Sequence, residues 1–105
     1  MTKEAEARKA TPIFSGVLAY FPDAIKYVAR VSQAGNDQHH PGTPLHWDRS
    51  KSTDETDALA RHLTDHAAGT LYDSDGILHL GKVSWRSLAA LQKLLEELEE
   101  QDGTK

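Results

Sequence analysis

Three of the six histidines in this 105-residue chain fall in one segment, NDQHHPGTPLHWDRSKS, from Asn36 to Ser52. The same segment carries Trp47, Arg49 and Lys51. Imidazoles bind metals and change charge near neutral pH. Guanidinium groups grip phosphate through two parallel bonds, and an indole ring offers a face on which a base can stack. A loop that gathers these groups suits a pocket for a phosphorylated nucleotide. The plainer reading has Trp47 folding back over a small core, and it leaves room for a ligand beside the ring.

Further along, His62 and His66 are four residues apart and share one helix face. That spacing occurs in zinc sites, but the glutamate of the H-E-x-x-H pattern is missing between them. His66 reads as a surface histidine. His62, between Arg61 and Leu63, is expected at the rim of the core and directed at the loop. Hydrolysis of a nucleoside triphosphate needs carboxylate oxygens around magnesium or manganese. Asp54 and Asp57 have i, i+3 spacing and Asp65 follows two turns later, so these three are the candidate metal ligands. A second acidic pair on a facing helix is missing. Glu96, Glu97, Glu99 and Glu100 read as a solvated helix face, and Asp73 and Asp75 as turn residues capping the next helix.

Three helices must position these groups, so the fold class is all-α. The pattern of Ile25, Val28, Ala29 and Ser32 behind Pro22-Asp23 predicts a first helix over about 22–34, stopped by Gly35-Asn36. Pro41-Gly42 and Pro44 enforce an irregular loop. Ser52 and Glu55 have capping-box spacing and open a second helix over about 53–68, closed by Gly69. A third helix over about 77–101 carries Leu80, Leu88, Leu91, Leu95 and Leu98 on its apolar face. Within it, Gly81 is a mild cost and suggests a close helix contact. Residues 1–11 are expected as a disordered tail, 12–101 as one helical domain and 102–105 as a frayed end. The apolar run from Pro12 to Phe21 is expected as an extended arm or a short strand.

The net charge of −4 argues against a general DNA, RNA or membrane-surface binder, while leaving room for a local basic pocket. With no cysteine, disulfides, thiolate zinc sites and thiol catalysis are excluded. The first residues lack the apolar stretch of a signal peptide, and no run approaches the roughly 20 apolar residues of a membrane span. A cytoplasmic protein is expected. So short a chain buries a modest core, and self-association would help it.

Gly35-Asn36-x-Gln38-His39, Pro41-Gly42, Leu45-His46-Trp47-x-Arg49, Arg61-His62-Leu63 and His79 occur in that order. Together with D-x-D-G-I-x-H-L and W-R-S-L-A-A-L-Q they resemble the phage and prophage proteins named for the dATP/dGTP diphosphohydrolase N-terminal domain. The similarity runs from about Phe14 to Leu98. It implies a small helical protein of a phage-infected cell, with a site for purine deoxynucleotides built from Asn36, Gln38, His39, His46, Trp47, Arg49, Arg61, His62 and His79. In that site amides of Asn36 and Gln38 would read the base, Trp47 would stack on it, and Arg49, Lys51 and Arg61 would hold phosphate. The missing acidic pair puts binding ahead of hydrolysis. The leading expectation is therefore a homo-oligomer that holds a dNTP or a cyclic signal nucleotide of host immunity intact, with no cofactor assigned. The alternatives are a magnesium- or manganese-dependent diphosphohydrolase, releasing monophosphate and pyrophosphate, and a purely structural module.

Overall fold

A proline at the first turn and an acid beside it start the first predicted helix where expected, at Pro22. The computed structural model describes residues 2–51 and 53–102. Ser52, the expected cap, and the Lys51 side chain, an expected phosphate contact, lie outside the described residues. The chain is all-α. Its helices are α1 (Lys3–Lys9), α2 (Pro22–His39), α3 (Glu55–Ala67) and α4 (His79–Asp102), with a π-helical turn at Phe14–Leu18 and a 3-10 turn at Arg49–Lys51. The three predicted helices are α2, α3 and α4. No helix among the described residues is long and apolar enough to cross a membrane.

Four local differences from the sequence reading have physical causes. Residues 3–9, expected as a frayed tail, form α1, which Thr2 caps by accepting the Ala5 amide at 3.1 Å and which buries no residue. The segment 14–18 is a π-helical turn rather than an arm or strand, closed by the Ala19 amide on the Phe14 carbonyl. Helix α2 runs through Gly35-Asn36 to His39, and Pro41, which has no amide hydrogen to offer, lies just past its end. Glu55, read only as a capping-box residue, turns toward α4 and is buried. Its carboxylate accepts from Lys93 at 2.7 Å and from Arg86 at 3.2 Å.

Helix α4 is the organising element. It packs along α3 and, less extensively, against α2. The α2 crossing depends on Gly81, where a side-chain carbon would stand 2.7 Å from the Tyr27 ring. The Tyr27 hydroxyl meanwhile accepts the Leu78 amide at 2.9 Å, fixing where α4 begins. Between α3 and α4 the turn uses glycine where the backbone needs positive φ, at Gly69 (95°) and Gly76 (79°). The only fully buried apolar side chains among the described residues are Ala58 and Ala89. Asn36, Glu55, His62 and His79 are buried beside them, so the centre of the molecule is polar.

Candidate functional site

The polar centre opens into a cavity of about 710 Å³ bounded by the end of α2, the loop through Trp47, α3, the 73–77 turn and the start of α4. Asn36, Gln38, His39, His46, Trp47, Arg61, His62 and His79 all line it, as do Asp48, Asp73, Asp75, Lys82, Trp85 and Arg86. A volume of this size suits a nucleotide-sized ligand.

At its floor, His62 of α3 and His79 of α4 meet Nδ1 to Nδ1 at 2.8 Å, so one ring donates and the other accepts. Burial, reinforced by the nearby Lys82 charge, holds His62 below the usual imidazole pKa against the opposing pull of Asp73. The two rings and Asp73 bring one ligand atom each to within 4.8 Å of one another. His62 Nδ1 lies 4.0 Å from Asp73 Oδ2, and His79 Nε2 lies 3.8 Å from Asp65 Oδ2. Asp73 and Asp75 divide their oxygens between two tasks. One oxygen of each accepts a turn amide, Ser74 at 2.7 Å and Ile77 at 3.0 Å, and the other accepts from Lys82 Nζ at 2.6 and 2.7 Å. The Lys82 bond, helped by the Ser74 amide, pulls Asp73 down to about 2. For Asp75, burial works toward a higher pKa, but the bonds from Lys82 and the Ile77 amide prevail and lower it. Two imidazoles and a carboxylate are a donor set that zinc and related divalent ions accept.

The loop is folded back onto α2 by Asn36, whose Nδ2 donates to the Thr43 carbonyl at 3.0 Å. That bond fixes the amide orientation and leaves Asn36 Oδ1 buried with no partner among the described residues; Trp47 Nε1 is in the same state. Trp47 stands edge-on to Trp85, with ring centres 5.7 Å apart. Arg49 lies over the Trp47 ring at 4.3 Å and pairs with Glu96 at 2.8 Å. Arg49 is thus a clamp between loop and α4, and it does not line the cavity. A second group, His40, His46 and Asp48, also brings ligand atoms within 4.8 Å of one another at the loop surface.

A family model described as dATP/dGTP diphosphohydrolase, N-terminal, matches residues 2–103. The chain belongs to that family. Comparison with curated proteins and with solved structures gave no match.

In this dATP/dGTP diphosphohydrolase N-terminal domain the acids do not fall where the sequence spacing put them. Asp65 lines the cavity, but Asp54 and Asp57 line a separate hollow of about 290 Å³ with Glu55 and Glu97. Asp54 is 3.6 Å from Arg86. Asp57 and Asp65 are eight residues apart on α3, about 12 Å along the axis, so the three cannot converge on one ion. Asp73 and Asp75, read from the sequence first as turn residues and second as metal or ribose contacts, also line the cavity, and the second oxygen of each is held by Lys82. The sequence signal for that pairing was a cation one turn into the helix that follows the D-x-D-G turn. Trp85 was missed as a pocket ring, because within α4 it reads as one more apolar residue. Glu96, read as solvated, holds Arg49 and Gln92.

Proposed function

We propose that this domain binds a phosphorylated purine deoxynucleotide, of the dATP or dGTP class, in the cavity between α2, α3 and α4. The observation that carries this reading is a nucleotide-sized cavity of about 710 Å³ lined by two indoles and three cations. Arg61, Lys82 and Arg86 supply positive charge for the phosphates, and Trp47 or Trp85 a stacking surface. The family's name adds support, since it speaks of the same two nucleotides.

Holding the nucleotide intact is the leading form of this reading, because Lys82 occupies the Asp73 and Asp75 oxygens that magnesium would otherwise use. A cyclic or other signal nucleotide would draw on the same groups. The second form is hydrolysis, favoured by the convergence of His62, Asp73 and His79. These three residues would hold a divalent ion, manganese or zinc in preference to magnesium given the two imidazoles, and the ion would neutralise phosphate charge. In that form the low pKa of Asp73 keeps it an anion at neutral pH, and burial keeps His62 free of a proton.

The test is incubation of pure protein with dATP, dGTP, the other dNTPs and cyclic nucleotides, with magnesium or manganese. The mixture is filtered and both fractions are read by mass spectrometry before and after heating. Intact nucleotide released by heat is the expected result, and Asn36→Ala should release it earlier. Monophosphate and pyrophosphate that vanish with Asp73→Asn would favour the hydrolytic form. No retention and no turnover would sink both.

A further inference from the structure

Helix α4 has a second face that the cavity does not use. Leu80, Leu88, Leu91, Leu94, Leu95 and Leu98 are each 44–54% exposed. At 3.6 residues per turn they fall in one stripe about 120° wide. The stripe lies opposite Arg86, Ala89 and Lys93, of which the two cations reach Glu55 on α3. Leu88, Leu91, Leu95 and Leu98 repeat at spacings of three, four and three, the a and d positions of two heptads.

The surface of the whole chain says how much is left to cover. It amounts to 7893 Å². A folded monomer of the same mass exposes roughly 5,800 Å². The excess, on the order of 2,000 Å², is shared by α1, which buries no residue, by the exposed apolar side chains from Ile13 to Phe21 and by the α4 face, and it exceeds the roughly 800 Å² that each partner gives to a standard interface. The radius of gyration, 16.4 Å, also exceeds the roughly 13 Å of a self-sufficient domain of about this length.

We propose that the leucine face of α4 is covered by α4 of a second copy of this chain, running antiparallel in a two-fold dimer. Charge fixes the direction. Glu96, Glu97, Glu99, Glu100 and Asp102 crowd the last turns of the helix, and Lys82 and Arg86 stand near its start. A parallel pair would gather ten carboxylates at one end and align two helix dipoles. The antiparallel pair separates the acidic ends and opposes the two helix dipoles. In the a/d register, Leu88 then meets Leu98 of the partner subunit and Leu91 meets Leu95 of the partner subunit. Both contacts are self-complementary, as a two-fold axis requires.

Sedimentation equilibrium at micromolar concentration should return twice the 11.6 kDa chain mass. A folded monomer would overturn the proposal. Because the chain has no cysteine, single introduced thiols report direction cleanly. A mixture of Leu88→Cys and Leu98→Cys proteins, folded by circular dichroism, should give a disulfide-linked heterodimer on mild oxidation, while Leu98→Cys alone should give at least tenfold less cross-link. Efficient cross-linking of Leu98→Cys to itself would mean a parallel pair and overturn it equally. Of the six leucines, none lines the cavity, so nucleotide retention and dimer mass fail independently of each other.

Discussion

The two sides of α4 solve opposite problems. Toward α2 and α3 it presents His79, Lys82, Arg86 and Lys93, each engaged by a group on another element. On the far side it presents leucines about half open to solvent. Burial by itself therefore does not identify the important face. The buried side is polar and barely contributes an apolar core, while the apolar side is the exposed one. A polar interior of this kind stabilises only while its members are all paired, since each unpaired charge costs more than the pair returns.

The sharpest way to break the comparison is to cut the polar side at its most buried acid. Glu55→Ala removes the buried carboxylate that Arg86 and Lys93 share at the α3–α4 contact, while Asp54 stays 3.6 Å from Arg86. Losing one member of a buried pair costs about 3–5 kcal/mol. Both cations are about 30% exposed on their side chains, so water recovers part of this. The expected loss in urea unfolding is about 2–4 kcal/mol, with dimer mass unchanged at concentrations where the variant is folded. A loss within 0.5 kcal/mol, an order of magnitude for a surface change, would mean that the interior does not depend on this pair.

Acid should loosen the same side in two windows. His62 has a lowered pKa in the fold, so the unfolded chain takes up its proton first. Its contribution is complete above the unfolded value, about 6.5, and is lost as pH falls from there through the lower folded value. Asp73 behaves likewise further down. Its contribution is complete above the ordinary aspartate value of 3.8 and is lost as pH falls through about 2. Thermal midpoints should therefore decline below neutrality and decline again in strong acid. His62→Gln should remove the first decline and leave the second. A profile flat between pH 7 and 5 in the wild type would contradict the desolvated state of His62.

How much of this was legible in the sequence depends on the range of the interaction. The three long helices were readable because apolar spacing and Pro22 are local signals. The end of α2 was not, because Gly35-Asn36 carries a stop signal that Asn36 overrides by binding Thr43 across the loop. Most of the residues expected at the nucleotide site line the cavity, although Arg49 does not and Asn36, Gln38 and His39 come from α2 rather than from the irregular segment. The acids were misplaced for a simple reason. Helical spacing reports neighbours on one helix, whereas the cavity floor is assembled from α3, a turn and α4. Glu55 and Lys82 illustrate the same limit, as each is defined by a partner on another element.

The smallest expected effect concerns Arg49, where the sequence reading and the structure part ways most cleanly. An arginine two residues beyond a tryptophan in a nucleotide loop invites a phosphate-binding role. In the fold its guanidinium lies over the Trp47 ring and pairs with Glu96, both partners 44% exposed. An exposed ion pair contributes about 0.2–1 kcal/mol and an exposed cation–π contact about 0.5–1 kcal/mol. Arg49→Ala should therefore cost about 1 kcal/mol of stability and leave nucleotide retention within about twofold, because one lost contact of this size is spread over a loop that Asn36 also holds. Arg61→Ala, which removes a cavity cation, should reduce retention about tenfold, near the 1.4 kcal/mol of a charged contact. If Arg49→Ala lost retention as fully as Arg61→Ala, Arg49 would have to leave Glu96 and enter the cavity when the ligand binds, and the clamp seen between loop and α4 would be a feature of the empty site alone.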